Sequence, residues 1–433
     1  MSQTEEIVGT LDRKKTAKEL AARDGVCDQI SEDLPARPIS VCLLISSLEY
    51  GGAERQVVEM FRSFDRRRVR PVICSLSDKV PLADLLGESR KDLHIVRRRW
   101  RFDFTTVFRV AGLLRRERIN VVHAFLFDAE IVGRLAAPLA GVRVVIASER
   151  NSDYERRTLH NVALRLTQPL VDAVVANSFA GREFTLRTTG LGPSRVKVVH
   201  NGVDGARFCP DRDGGQIFRA RVGIPHDAVV VGMVGSYKRQ KGHDVFLRMA
   251  TQIAQHRANA FFLIVGGPTG GDLAPSQAYK LEIEKMARTL GINGRCRFLE
   301  NEPAMGAVYN ACDVTVLLSR REGTPNVLLE SMACGVPVVA SNVADNSFVV
   351  RDESVGLIVP VDDANAATIA VEQLLARQVS RSQVCDAARQ RACDFSSGNA
   401  ARRLEQIYAT CLLRKTDMQA RRRSDLKNDA IPG

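Results

Sequence analysis

The sequence predicts an α/β protein built on parallel sheets. Three observations carry that reading. Short, uniformly apolar segments such as residues 39–45 (ISVCLLI) and 229–234 (VVVGMV) have the composition of strands buried on both faces. Helical patterns lie between most of these segments, as a parallel sheet covered on both sides requires. The length of 433 residues allows two or three domains at roughly 100–200 residues each. An apolar content of 45% and a charged content of 26% belong to a globular chain and exclude disorder of the whole.

Residues 1–38 read as a polar, partly disordered extension, with room for a short helix between Lys14 and Arg23, closed by Pro35 and Pro38. The first strand, 39–45, runs into a turn at Gly51 and Gly52. An amphipathic helix follows with Val57, Val58 and Phe61 inward. Two glycines there let backbone approach a ligand closely. The wording is neither a GxGxxG fingerprint nor a Walker A loop. Further strands are expected at 69–76, 93–96, 121–125, 142–147, 173–176 and 196–199, with a helix at 131–140. Asn201-Gly202 is a turn signal. Strand 229–234 precedes a cationic loop with Lys238, Arg239, Lys241 and Gly242, a natural partner for a diphosphate. Strands at 261–265, 296–299 and 356–359 and helices at 364–376 and 399–413 complete the series, before a loose polar tail at 414–433.

The most informative stretch is 322–340 (EGTPNVLLESMACGVPVVA). Gly323, Thr324 and Pro325 make a loop, and Pro325 sits at or before a helix start. Leu328, Leu329 and Met332 form the apolar face of that helix. Gly335 ends it, and 336–340 reads as a buried strand. Backbone N–H groups at Asn326 and Val327 then face a ligand phosphate, aided by the helix dipole. Glu330, one turn in, suits the vicinal hydroxyls of a ribose, and Glu322 those of a sugar. Two hydroxyl-reading acids around a phosphate cradle describe a nucleotide-sugar site.

In a parallel sheet, ligands collect outside the carboxyl ends of the strands. That rule also picks out His123 and Asp128, and the segments with Arg150, Asn151 and Ser178.

Ten cysteines are scattered, without CxxC or a Cys/His metal spacing, which suggests a reduced, cytoplasmic setting. No apolar run approaches 18 residues, and the N-terminus lacks the apolar core of a secretory signal. The net charge of +12 is uneven: residues 39–204 hold 27 Lys/Arg against 18 Asp/Glu, while 205–395 hold 21 against 20. The basic runs, including Arg97-Arg98-Arg99-Trp100-Arg101, are either solvated faces or contacts for an anionic membrane surface or phosphate-bearing lipid. No aromatic-interleaved platform or nucleic-acid module accompanies them, so nucleic acid is not an expected partner.

The Glu-x7-Glu spacing within REGTPNVLLESMACGVPVVAS resembles the donor-site signature of retaining glycosyltransferase family 4, of the GT-B fold (glycosyl transferases group 1). GGAERQV, Asn201-Gly202-Val203-Asp204 and Lys241-Gly242 are similar to the family's wording as well, so the resemblance covers about 39–413. It implies two Rossmann-like lobes facing each other across a cleft. An acceptor-side lobe spans 39–204 and a donor lobe 205–395, with the chain passing between them at 201–204. A final helix, 396–413, returns to the first lobe. It implies a nucleotide-diphosphate sugar as donor, with Gly51, Gly52, Lys238, Arg239, Gly323, Thr324, Asn326, Val327 and Glu330 binding it. Lys241, Glu322 and His123 are the implied catalytic residues. The turn at Gly266-Gly267-Pro268 and the strand at 296–299 would bracket the base. Asp128, Arg150, Asn151 and Ser178 are acceptor-side candidates. No metal or other cofactor is expected.

Two positions depart from the family pattern. Phe125 stands where a second histidine is common, and Ser236 where an arginine is, so Lys238 or Arg239 is expected to replace that charge. The expected acceptor is a polyprenyl-linked, lipid-linked or other glycan hydroxyl in cell-surface polysaccharide or lipopolysaccharide assembly, with the protein cytoplasmic or peripheral at the inner membrane face. A GT-B-like sugar phosphorylase or epimerase, or an idle nucleotide-sugar-binding protein, are the alternatives.

Overall fold

The computed structural model describes residues 37–100, 103–150, 158–267, 274–300, 302–376 and 381–428. The N-terminal extension 1–36, Arg101, Asn151, Pro268 and the last five residues lie outside them. The chain forms two compact units. One is Ala53–His200 with the strand that precedes it and the chain after Gly398; the other is Asn201–Ser397 with Tyr50–Gly52.

The N-terminal unit holds seven parallel strands: β1 (Ile39–Ile45), β2 (Val69–Ser75), β3 (Leu93–Ile95), β4 (Val121–Phe125), β5 (Val144–Glu149), β6 (Ala173–Ala176) and β7 (Val196–Val198). Their spatial order is β3-β2-β1-β4-β5-β6-β7. Helix α1 (Gly52–Ser63) packs Val57, Val58 and Phe61 on one face of the sheet. Helices α2 (Thr105–Arg116) and α3 (Phe127–Ala140) cover the other, against Cys42, Leu44, Val122 and Ala124. Helices α4 (Thr158–Leu166) and α5 (Phe179–Thr189) follow β5 and β6.

The second unit holds β8 (Val229–Val234), β9 (Ala260–Val265), β10 (Cys296–Leu299), β11 (Val314–Leu317), β12 (Val338–Ser341) and β13 (Gly356–Val359), all parallel, in the order β10-β9-β8-β11-β12-β13. Between and after them run α6 (Arg212–Arg221), α7 (His243–His256), α8 (Ala274–Thr289), α9 (Met305–Asn310), α10 (Asn326–Ala333), α11 (Asn346–Val349), α12 (Ala364–Ala376) and α13 (Arg381–Asp394). Both sheets therefore reverse direction of winding beside their first strand, the Rossmann arrangement.

Helix α14 (Ser397–Asn428) belongs to the N-terminal unit, where Ala400, Ala401, Leu404 and Tyr408 join the core beneath β1 and β4. It runs on through most of the segment expected to be a loose tail. A helix seeded by a packed first half gains one hydrogen bond per residue added, and Gln, Ala, Arg, Leu and Lys are favourable helix formers.

Other differences are local. The strands expected from Val142 and Val336 begin two residues later. Val142 N–H bonds Ala137 O and Val336 N–H bonds Ser331 O, each completing a C-terminal cap beyond a left-handed glycine, Gly141 or Gly335. Helix α13 was not anticipated, because its buried stripe of Val384, Ala388 and Ala392 is nearly all small residues. Among the described residues, no helix is long and apolar enough to cross a membrane.

Candidate functional site

In the second sheet, β8 and β11 are neighbours whose following connections leave in opposite directions. In parallel sheets wound this way, the position between the two loops at their carboxyl ends is where ligands collect. After β8, residues 235–238 lead into a single 3-10 turn, Arg239–Lys241. After β11, residues 318–325 lead into α10.

The two loops are cross-braced. Arg320 N–H donates to Gln240 O at 2.8 Å, and Gln240 Nε2 donates to Arg321 O at 2.7 Å. The Arg320 guanidinium reaches Arg239 O and the carboxylates of Asp244 (2.9 Å) and Asp362 (2.7 Å). Gly242 makes this approach possible. Its φ is 75°, and a Cβ there would stand 2.1 Å from Leu318 O, so a side chain would part the loops.

The bracing brings Lys241 Nζ within 2.5 Å of Glu322 Oε1, and Ser319 Oγ donates to the same oxygen at 2.6 Å. The side chains are only 20% and 9% exposed, so the pair sits in a medium where charge interacts more strongly than in water. An ammonium carries three N–H donors, and Glu322 engages one.

Beside this pair, α10 opens at Asn326 with Pro325 as its N-cap residue. Gly323 and Thr324 are buried, while Asn326 and Val327 are half-buried at the helix N-terminus. Asn201 pins the loop, donating from Nδ2 to Thr324 O at 3.1 Å and to Asn326 Oδ1 at 2.7 Å. One turn further in, the buried Glu330 accepts from Tyr309 Oη at 2.7 Å. Of the two cations expected to replace the charge missing at Ser236, Lys238 is exposed. Arg239 turns to α8 instead, 2.6 Å from Glu282 and 5.1 Å over the Tyr279 ring. Behind Lys241, His243 is buried against Tyr237 and Tyr279. Burial, then the Lys241 charge, lowers its pKa to about 4, so it is neutral.

In the N-terminal unit the expected residues fare differently. His123 is fully buried. Its Nδ1 meets Tyr408 Oη and its Nε2 meets Ser148 Oγ, both at 2.8 Å. Burial, then the nearby Arg150, keeps it neutral. Both ring nitrogens are engaged inside the core, where His123 ties α14 to the sheet. Phe125 packs against it at 4.4 Å. Arg150 is also buried, 5.0 Å over the Phe125 ring, and burial lowers its pKa to about 10. Ser178 is wholly buried and caps α5, its Oγ accepting from Gly181 N–H at 2.9 Å. Asp128, in the first turn of α3, pairs with Arg98 at 3.0 Å and borders a polar cavity of about 240 Å³ with Ser46, Ser77, Asp78 and Arg97. Asn151 lies outside the described residues. Gly52 opens α1, and Tyr50–Gly52 group with the second unit.

Residues that pattern reading did not select include Ser319, Arg320, Tyr309 and Asn201. Asn201, Arg320 and Tyr309 act through partners distant in sequence, such as Asn326 for Asn201 and Asp244 for Arg320, and no local spacing signals such a contact; Ser319 bonds Glu322 only three residues on. Among the described residues, no three His, Cys, Asp or Glu side chains gather as a metal site.

Two family models match the chain: Glycosyl transferases group 1 over residues 216–391 and Glycosyltransferase Family 4 over 50–207. The D-inositol 3-phosphate glycosyltransferase of Rhodococcus opacus is 32% identical over 320 residues, 69% of this chain and 70% of that one. The D-inositol 3-phosphate glycosyltransferase 1 of Catenulispora acidiphila is 33% identical over 326 residues, 70% of this chain and 75% of that one. Among solved structures, Anabaena HepE in complex with UDP-glucose superposes with a TM-score of 0.75 at 19% identity, covering 86% of this chain and 100% of that one. Sucrose-phosphate synthase of Thermosynechococcus elongatus gives 0.71 at 20%, covering 86% and 99%.

Proposed function

The chain belongs to glycosyltransferase family 4, the glycosyl transferases group 1, and from that premise we propose that it transfers a hexose-type sugar from a nucleotide-diphosphate sugar to an acceptor hydroxyl with retention at the anomeric carbon. The observation that carries this reading is the Lys241–Glu322 pair, held where the two loops meet beside the N-terminus of α10. The complex of HepE with UDP-glucose supports a nucleotide sugar as the donor class.

The residues divide the work by charge. As the sugar leaves, the bond from the anomeric carbon to the diphosphate oxygen breaks and negative charge grows on the phosphates. Lys241 and the N–H groups at Asn326 and Val327 stabilise that charge, with Lys238 as a further exposed cation. The acceptor oxygen bonds to the anomeric carbon on the face the phosphate is leaving, and its proton passes to a phosphate oxygen. Glu330, oriented by Tyr309, accepts from the ribose hydroxyls, and Glu322, oriented by Ser319 and Lys241, from the sugar hydroxyls. Cations and a helix dipole supply the electrostatic stabilisation that a metal supplies elsewhere.

For the acceptor, the basic excess at 39–204 favours a phosphate-bearing molecule, as do the relatives named for inositol 3-phosphate. A phosphorylated polyol and a polyprenyl-phosphate-linked glycan are the two candidates. The test is thermal shift against a panel of nucleotide sugars with and without divalent metal, since a ligand of the folded state raises its stability. The responding donor is then offered to both acceptors. A metal-independent shift followed by transfer with retained anomeric configuration is expected. Donor hydrolysis or isomerisation without an acceptor would point to a phosphorylase or epimerase. No shift from any donor in folded protein would sink the proposal.

A further inference from the structure

The outer helices of the N-terminal unit carry a surface that the transfer chemistry does not use. Among the described residues, seventeen large apolar side chains are exposed, and eight of them fall between positions 100 and 166. They lie on three neighbouring helices or at the entry to the first of them. Phe104, the N-cap residue of α2, and Phe108, one turn on, are 74% and 67% exposed, while Val107, Val110, Ala111 and Leu114 face the sheet. On α3, Leu135 and Leu139 repeat the pattern. On α4, Leu159, Val162 and Leu166 form an outward stripe at helical spacing, with Leu159 79% and Leu166 77% exposed.

The three helices are joined side by side. The Arg115 guanidinium of α2 reaches the Leu139 carbonyl of α3, and Arg134 of α3 donates to the Leu164 carbonyl of α4 at 3.0 Å. Right-handed crossovers from β4 to β5 and from β5 to β6 put α3 and α4 on the same face of the sheet. Monomeric proteins rarely leave such a set of large apolar groups together without a partner.

The charge around the surface identifies the partner. Residues 97–166 contain fourteen arginines and no lysine against seven acids. Of the acids described there, Asp103, Glu130 and Glu149 are buried, Glu117 contacts Arg70, His94 and Arg116, and Asp128 pairs with Arg98. Arg99, Arg115, Arg116, Arg118, Arg143 and Arg165 are exposed. Trp100, the one tryptophan of the chain, sits at the entry to α2 and is 57% exposed. Aromatic and aliphatic side chains projecting outward amid arginines, with the acids withdrawn or paired, match a surface with an apolar interior and a negatively charged rim. We infer that the outer face of α2, α3 and α4 docks on an anionic lipid bilayer, with the apolar side chains entering the headgroup boundary and the arginines meeting lipid phosphates.

The test needs no turnover, so it stands apart from the donor and acceptor assignments. The full chain is mixed with vesicles of phosphatidylcholine alone or with phosphatidylglycerol added, and bound protein is separated by flotation. Trp100 emission, an intrinsic probe at the surface itself, is recorded in the same samples. Expected are flotation and a blue-shifted emission with the anionic vesicles, little of either with phosphatidylcholine, and loss of both as salt is raised. Phe104→Ser with Phe108→Ser, and Leu159→Ser with Leu166→Ser, should each weaken binding by about tenfold or more while leaving the thermal transition in place, because these side chains are exposed in the free protein. Unchanged Trp100 emission with protein absent from the floated fraction would overturn the inference. So would equal binding by the serine variants, or a vesicle-free dimer that Phe108→Ser converts to monomer, which would assign the face to a second copy of the chain.

Discussion

The two units have the same core strand order, yet they treat polar side chains at the carboxyl ends of their strands in opposite ways. In the second unit, Lys241, Glu322 and Glu330 are anchored by short bonds and grouped around the start of α10. In the N-terminal unit, His123 and Ser178 are turned inward and bonded to the protein itself, and Arg150 is buried over Phe125. The difference is one of supporting structure. Between β8 and β11 two loops brace each other and leave their charged groups where they meet. At β4, the long α14 lays Tyr408 against His123 and takes its ring into the core. Shared topology fixes where loops emerge; the neighbours decide whether a polar residue is a tool or a strut.

The largest effect that would break this contrast is in turnover. Lys241→Ala should reduce kcat by about 10²–10³-fold with the fold retained, the usual loss when one preorganised donor to developing charge is removed. A folded Lys241→Ala protein with unaltered kcat would remove the second unit's claim to the chemistry. In the N-terminal unit, His123→Ala should act on stability. Losing a buried ring and two hydrogen bonds costs about 3 kcal/mol, read by denaturant unfolding, with kcat in the remaining folded protein changed little. A selective fall in kcat, with stability untouched, would instead assign His123 a catalytic role.

Acid should destabilise the protein through its buried histidines. His243 titrates near 4 when folded, below its ordinary 6.5, so between those values the unfolded chain holds more protons than the native one. Its contribution is present above pH 6.5 and is lost as pH falls toward 4, about 3 kcal/mol in full. His123, also held neutral by burial, acts in the same direction. Melting temperatures between pH 8 and 4 should show the decline, with a shallower slope in His243→Gln; identical slopes would be contrary to it.

A smaller change sharpens the division within the proposed donor site. Glu330→Gln should weaken donor binding by roughly tenfold, as expected for a charged hydrogen bond, with kcat less affected, and titration of the donor checks it. Smallest of all, a chelator should leave turnover as it is; loss on chelation, restored by a divalent ion, would contradict the role given to Lys241 and α10.

Much of the fold was legible from sequence because its signals are local. The strands at 121–125, 173–176, 229–234 and 296–299 are short apolar runs, and structure and pattern agree on their limits. Pro325 and Gly335 mark the start and stop of α10 for stereochemical reasons that any L-residue chain obeys. The same local reading placed Glu322 and Glu330 on either side of a helix N-terminus, and the helix does open between them, at Asn326. Tertiary structure decided the rest. Val142 and Val336 look like strand residues by composition but serve helix caps, because a carbonyl several residues back claims their N–H groups. Arg239 looks interchangeable with Lys238 until Glu282 and Tyr279 draw it away. His123 looks like a strand-end ligand until Tyr408, 285 positions later, takes its Nδ1. Backbone propensity and turn chemistry act over a few residues and are written in order along the chain. The fate of a polar side chain depends on which distant atoms complete its hydrogen bonds, and only the folded chain brings those atoms together.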